Sequence, residues 1–194
     1  DITFNSLLLR NNEHLVSIAK TIKIKLPKEL QENIKKTKDA FGELWDSDTN
    51  QFYSRNFYTN NLIIEPSIGS LMPLYSGYSD KGKLDKIVKC LEDQNLYGCN
   101  YPIPSVPLNS KWFSETEYWQ GPTWVNANWL IIDGLLRNNY IDIAEVLKET
   151  TLDMVDNSGI YDYYNPINGH GVGIKDFSWT AALSLDLAKN YKKT

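Results

Sequence analysis

The chain has few residues from which a disulfide framework or a metal site could be built. Its 194 residues include only two cysteines, Cys90 and Cys99, and only two histidines, His14 and His170. A structural zinc site ordinarily takes four Cys or His ligands, so neither zinc nor disulfide staples are expected. No ligand cluster predicts a metal ion or a cofactor. Two free thiols are typical of a reducing compartment, and the sequence therefore predicts a cytoplasmic protein.

The sequence also lacks an excess of positive charge and a long apolar run. Twenty Lys and Arg stand against 24 Asp and Glu, which gives a net charge of −4 and a pI near 5.2. This balance argues against nucleic acid as the main partner. No apolar stretch reaches the roughly 18 residues that a membrane span requires. We therefore expect neither nucleic acid nor a membrane as a partner.

Apolar residues recur mostly at helical spacing, within a composition of 42% hydrophobic and 23% charged residues that is ordinary for a globular protein. We predict one domain over residues 1–194, with a short hairpin near 52–64 and otherwise almost no strand. Two long loops, 96–121 and 158–177, are expected to lie on one face of an all-α helical toroid. The predicted helices cover 4–20, 27–45, 68–75, 80–95, 122–138, 141–157 and 178–191.

Residues 118–129 read Tyr-Trp-Gln-Gly-Pro-Thr-Trp-Val-Asn-Ala-Asn-Trp and contain three of the six tryptophans. Gly121-Pro122 is a turn signal, and proline suits the first turn of a helix, so a helix is expected to start near Pro122. Trp124 and Asn128 would then share one helix face. A single tryptophan is better explained as core. Three tryptophans interleaved with amide side chains favour a sugar site, because a sugar offers both C–H faces and hydroxyls.

The second long loop carries an acidic residue, Asp162, among three tyrosines at 161, 163 and 164. Such a carboxylate could act as a general base on water, although aspartate is also common in surface turns. Asp176 is most simply the N-cap of the last helix. The glycine-rich stretch 169–173 lacks a preceding strand and a following Gly-Lys-Ser/Thr, so it is a weak signal for phosphate binding.

Taken together, these motifs resemble a known family. Residues 118–129 are similar to the Y-W-[RQ]-G-P-x-W-x-N-x-N-W motif of glycoside hydrolase family 63 and of the mannosylglycerate and glucosylglycerate hydrolases. Residues 161–179 resemble the closing motif of that family, and segments 104–107 and 4–8 also look like family segments. Trehalases are more distant relatives. The resemblance implies an (α/α)6 barrel, of which this chain would be the C-terminal part.

The resemblance further implies inverting hydrolysis of an α-glycosidic bond by two carboxyl groups about 6.5–9.5 Å apart. The catalytic base of the family maps onto Asp162, where the family has glutamate. Aspartate is one methylene shorter, and a misplacement of about 1 Å can cost on the order of 100-fold in rate. The sugar pocket would be lined by Tyr118, Trp119, Gln120, Trp124, Asn126 and Trp179.

The general acid of the family lies in a Gly-x-Asp-Asn-Ser-Pro-like motif, which this sequence does not contain. We therefore expect an incomplete barrel that lacks its N-terminal helices. Such a chain would be inactive on α-glucosides or related small glycosides until the missing half of the barrel is supplied. The alternative is a non-catalytic or degenerate carbohydrate-binding module, which the departure at position 162 would favour. A helical scaffold without a ligand is a third hypothesis, but it leaves the clustered tryptophans unexplained.

Overall fold

The computed structural model describes residues 1–190. Within them the chain is mostly helical, as predicted, with two small antiparallel hairpins. The final residue of the last predicted helix, Tyr191, lies outside the described residues. The helices are α1 (Ile2–Thr21), α2 (Lys28–Phe41), α3 (Lys81–Glu92), α4 (Val125–Arg137), α5 (Ile141–Ser158) and α6 (Ser178–Asn190), with 3-10 helices at Gly42–Leu44 and Ile68–Leu74. The strands are β1 (Trp45–Asp46), β2 (Gln51–Phe52), β3 (Tyr161–Tyr164) and β4 (Gly171–Lys175).

The helices form two curved layers that together make an open arc. The inner layer runs from α1 through the 3-10 helix Ile68–Leu74 and α4 to α6, each element packing on the next. The outer layer consists of α2 against α1, α3 against the 3-10 helix, and α5 against α4 and α6. This order is that of a partial helical toroid, with α1 and α6 at the two ends of the arc.

The core lies where the 3-10 helix Ile68–Leu74 is enclosed by its neighbours. All seven residues of that helix are buried, and Ser67 and Ser70 cap its start in a reciprocal capping box. Helix α4 approaches it closely at Gly134, where a Cβ atom would lie 2.6 Å from the carbonyl carbon of Leu74. A glycine is therefore required at this crossing.

A two-stranded hairpin lies directly before the one predicted near 52–64, with Trp45 opposite Phe52 and Asp46 opposite Gln51. Its turn is fixed by the Asp46 carboxylate, which accepts hydrogen bonds from the backbone N–H of Thr49 at 2.8 Å and from its hydroxyl at 2.7 Å. The hairpin predicted near 52–64 is present as a short antiparallel turn, with a bridge between Arg55 and Leu62. Backbone hydrogen bonds run from Asn56 N–H to the Asn61 carbonyl and from Ile63 N–H to the Ser54 carbonyl, both at 2.8 Å.

Apolar side chains are exposed at both ends of the arc. On α1 and its C-cap they are Phe4, Leu15, Val16, Ile18 and Ile22, and on α6 they are Trp179 and Leu185. Among the described residues, no helix combines the length and the apolar character needed to cross a membrane. The two ends of the arc thus present surfaces that an additional helical layer could cover.

Candidate active site

Thr123 joins the two long loops, as predicted for loops on one face of a helical toroid. Its backbone N–H donates to the carbonyl of Tyr164 at 2.8 Å, and the Tyr164 N–H donates back at 2.9 Å. Thr123 also forms a bridge with Pro104. These contacts hold residue 123 in an extended conformation, so α4 begins at Val125 and not near Pro122 as predicted.

Three aromatic rings form a continuous stack behind the loop. The ring of Trp124 lies 3.9 Å from that of Trp119, with only 3° between their planes. Tyr163 stacks on Trp124 at 4.9 Å and 27°. Trp124 is 2% exposed, whereas Trp119 is 38% exposed. Trp124 is therefore the covered middle ring, and Trp119 is the ring with a free face.

Tyr118 closes the stack from the side. Its ring meets those of Trp119, Trp124 and Tyr163 edge-on, at 6.1, 5.0 and 5.6 Å. Its φ of 32° lies in the left-handed region, which a non-glycine residue rarely adopts. The Trp124 indole N–H donates to the Tyr118 carbonyl at 3.3 Å. A strained, exposed tyrosine thus lies at the rim of the aromatic cluster.

The neighbouring backbone is folded into a tight loop. Ser114 N–H donates to the Gln120 carbonyl at 2.7 Å, and Gln120 N–H donates to the Glu117 carbonyl at 2.7 Å. A Cβ atom on Gly121 would overlap the carbonyl oxygen of Ser114, so the loop can close only with glycine there. The side chain of Gln120 itself is exposed.

Three of the predicted sugar-binding residues, Trp119, Asn126 and Trp179, line one cavity of about 790 Å³. The cavity lies on the inner side of the arc, and its other walls were not predicted from the sequence. They come from α1 with its N-cap, the 3-10 helix and α4: Asp1, Thr3, Phe4, Leu7, Ile68, Met72, Ala127 and Leu130. The family-like segment 4–8 was the sequence signal for the α1 wall.

Asp162 lies on β3, half-buried and directly before the stacked Tyr163. Burial raises the pKa of its carboxyl above the ordinary value of 3.8. Within the described residues the carboxylate has no hydrogen-bond or ion-pair partner. The pKa of Tyr163 is raised by burial first and then by the negative charges of Asp162 and Glu117. Asp162 is thus an unpaired, partly desolvated carboxylate beside the aromatic stack.

The loop predicted over 158–177 contains the hairpin β3–β4, so the expectation of almost no strand was wrong here. A Cβ atom on Gly171 would overlap the Tyr161 ring, and one on Gly169 would lie 2.8 Å from the Tyr101 ring. The glycines therefore make room for aromatic rings. Asp176 is not the N-cap of the last helix, because α6 begins two residues later, at Ser178.

Asn128 has a structural position and does not line the cavity. It is fully buried, and its side-chain oxygen accepts from the N–H of Ile103 at 3.1 Å. Its amide group donates to the Pro102 carbonyl at 2.8 Å and to the Thr151 hydroxyl at 2.9 Å. This one side chain therefore fastens the first long loop to α4 and α5.

Potential metal ligands and thiols are scattered. Among residues 1–190, no group of three or more His, Cys, Asp or Glu side chains is placed to hold a metal ion. Cys90 and Cys99 are both free, and burial raises the pKa of the Cys99 thiol to about 12. The chemistry that this site offers therefore comes from carboxylates, amides and aromatic faces.

Comparison with known proteins identifies the family of the chain. The sequence profile of the mannosylglycerate hydrolase MGH1-like glycoside hydrolase domain matches residues 1–180. A mannosylglycerate hydrolase of Rubrobacter radiotolerans is 31% identical over 191 residues, which cover 96% of this chain and 43% of that protein. The chain spans less than half the length of the curated relatives it matches.

Solved structures place the fold in the same group. The GH63 mannosylglycerate hydrolase from Thermus thermophilus, in complex with glucose, matches with a TM-score of 0.91 at 29% identity, over 97% of this chain and 48% of that one. The neutral trehalase from Saccharomyces cerevisiae matches with a TM-score of 0.74 at 19% identity, over 98% of this chain and 37% of that one, which shows a shared fold. The chain therefore belongs to the mannosylglycerate hydrolase MGH1-like family within glycoside hydrolase family 63.

Proposed function

We propose that this chain is the C-terminal part of an inverting α-glycosidase that hydrolyses α-glucosides or related small glycosides. The observation that carries the proposal is the cavity of about 790 Å³ shared by Trp119, Asn126 and Trp179. The aromatic stack connects this cavity to the strand that bears Asp162. By similarity to the mannosylglycerate hydrolases, mannosylglycerate and glucosylglycerate are the first substrates to test.

In this proposal the sugar lies against the free face of Trp119. The opposite face of that indole is held on Trp124, so the platform keeps its orientation when a ligand binds. Asn126 on α4 and Trp179 on α6 face the same cavity. Asn126 would hydrogen-bond a sugar hydroxyl, and Trp179 would pack on a second C–H face of the sugar. Tyr118 and Gln120 would act at the rim.

Asp162 would be the general base that takes a proton from the attacking water. Its raised pKa makes it a stronger base than an ordinary aspartate. The general acid would protonate the leaving oxygen from the opposite side of the bond, at the 6.5–9.5 Å separation that admits water in inverting enzymes. We propose that this acid belongs to the N-terminal half of the barrel.

The open arc supports the same assignment of the base to this chain and of the acid to the N-terminal half of the barrel. The exposed apolar side chains of α1 and α6 lie at its two ends, where a closed barrel would continue with further helices. Coverage of 43% and 48% of the two mannosylglycerate hydrolases leaves more than half of their length for such helices. The isolated chain would therefore be inactive and would need the other half as its partner.

The decisive experiment compares Asp162→Asn with the unaltered protein, expressed with the coding sequence upstream of Asp1 restored. The substrates are mannosylglycerate, glucosylglycerate and an aryl α-glucoside, and proton NMR records the anomer released first. We expect the β-anomer from the unaltered protein and no turnover from Asp162→Asn. The matched control is Asp156→Asn, which alters an exposed aspartate of α5 and should keep full activity.

A non-catalytic carbohydrate-binding module remains the second candidate, because Asp162 is shorter than the glutamate of the family. That function predicts sugar-induced quenching of tryptophan fluorescence without turnover of any of the three substrates. Turnover that survives Asp162→Asn would instead remove the base from this position. The absence of both quenching and turnover would contradict both functions.

A further inference from the structure

The hairpin that carries Asp162 is irregular at that residue. Tyr163 pairs with Val172, whereas Tyr161 pairs with Lys175, so the register shifts between them. One residue of β3, Asp162, therefore faces two residues of β4, Gly173 and Ile174. This is a β-bulge, which bends a strand locally and changes the direction of nearby side chains.

Gly173 has the backbone conformation that such a bulge requires. Its φ is 80°, in the left-handed region that glycine adopts without steric cost. A bulge whose first residue is a glycine in this conformation is a recurrent form in antiparallel pairs. The irregularity is thus encoded by one residue directly opposite the candidate base.

The absent side chain of Gly173 also leaves space at the carboxylate. A Cβ atom built there would lie 3.0 Å from the Asp162 Cβ, 3.3 Å from its Oδ2 and 2.8 Å from Cε1 of Tyr163. All three distances are shorter than ordinary van der Waals contacts between such atoms. Any larger residue at 173 would have to displace the carboxylate, the stacked tyrosine, or both.

We propose that Gly173 is a positioning residue for the hydrolytic reaction, because its bulge sets the direction of Asp162 and its missing side chain keeps the space that the carboxylate occupies. This inference rests on the proposed function. It assigns a role in water activation to a residue that touches neither sugar nor water. A displaced base should slow the chemical step, while the affinity for sugar is kept because Gly173 is not among the residues that line the cavity.

The test uses Gly173→Ala in the protein with its upstream coding sequence restored, with mannosylglycerate as substrate. We expect kcat to fall on the order of 100-fold, the effect of misplacing a reacting group by about 1 Å, with KM changed by less than about threefold. Asp162→Asn is measured in parallel.

Gly169→Ala is the matched control, because Gly169 also has a positive φ, of 73°, and its Cβ would crowd the ring of Tyr101 and not Asp162. It should lower the melting temperature in a similar way while keeping kcat. Gly173→Asn separates strain from crowding, because asparagine tolerates the left-handed region better than alanine. Gly173→Asn should regain part of the melting temperature lost in Gly173→Ala but not the lost kcat. If Gly173→Ala fails to fold, Gly173→Asn takes its place in the test.

The outcomes distinguish a failure of the proposed function from a failure of the role of Gly173. Turnover unchanged in Asp162→Asn overturns the proposed function itself. An inactive Asp162→Asn together with a kcat for Gly173→Ala equal to that of Gly169→Ala overturns only the role of Gly173. A kcat restored by Gly173→Asn likewise overturns it, since the loss would then come from backbone strain alone.

Discussion

The indole of Trp119 lies flat on that of Trp124, with ring centroids 3.9 Å apart and planes within 3°. Trp124 is covered on its other side by Tyr163, so it supports the pocket without presenting a face to it. Trp124→Ala should therefore destabilise the fold by about 3–5 kcal/mol, measured by urea unfolding. Trp112→Ala, which removes an exposed tryptophan outside the stack, should cost far less. Equal costs would contradict the supporting role of Trp124.

Asn126 and Asn128 lie on the same helix but should respond oppositely to truncation. Asn128→Ala leaves the buried N–H of Ile103 and the carbonyl of Pro102 without their hydrogen bonds to this side chain, and each group left unpaired costs about 1–3 kcal/mol. Asn126→Ala removes an amide from the cavity wall and should change the unfolding free energy by less than about 0.5 kcal/mol while weakening sugar binding. Denaturation and fluorescence titration of both variants check this. A stable, non-binding Asn128→Ala would reverse the assignment.

The raised pKa of Asp162 has a definite effect on stability. Between the ordinary value of 3.8 and the raised folded value, the folded state binds more protons than the unfolded state, so stability falls as the pH rises through this window. Asp162→Asn removes that penalty and should unfold at slightly higher urea than the unaltered protein at pH 7. The difference should shrink below pH 4. Greater stability of the unaltered protein at pH 7 would show that the carboxylate has a favourable partner.

Gly121→Ala should open the loop that carries Tyr118 and Trp119, because the new methyl group would overlap the Ser114 carbonyl. We expect lower thermal stability and loss of sugar-induced fluorescence quenching together. Gly82→Ala is the matched control at an exposed position of α3, where the Cβ would make only an ordinary 3.5 Å contact with Asp80. It should stabilise the helix by up to about 1 kcal/mol. Unchanged quenching in Gly121→Ala would count against the loop geometry.

The exposed face of α1 provides a test in two contexts. In the isolated chain, the double substitution Ile18→Lys and Ile22→Glu should reduce self-association, seen by light scattering, because both side chains are more than half exposed. In the protein with its upstream part restored, the same change should lower stability, since we propose that further helices cover this face. Val146→Lys on α5, also exposed, should have little effect in either. A double substitution that is neutral in both contexts would argue against covering helices.

Helix positions were predictable from the sequence because they follow from local apolar spacing, and the clustering of tryptophans indicated the site. The start of α4 was missed because Thr123 is held extended by Pro104 and Tyr164, partners that local sequence does not reveal. The same limit applies to Trp124, whose position in the middle of a stack depends on Tyr163, far along the chain.

The apolar side of α2 illustrates a different limit. Leu30 and Ile34 are only half-buried and Ala40 is exposed, although Phe41 is buried. The apolar pattern of a helix indicates which face packs against other elements. For α2, the described residues bury only part of that face. Gly173 could not be interpreted from sequence at all, because a bulge becomes visible only when the strand register is known.

Phe4 on α1 and Trp179 on α6 line the same cavity, although they come from near the opposite ends of the described chain. Contacts between residues so distant in sequence form late, since the entropy of closing the intervening chain must be compensated by packing that already exists. We therefore expect the helical arc to assemble first and the cavity to appear only in the final folding phase. A sugar ligand should then slow unfolding while leaving the early refolding rate unchanged.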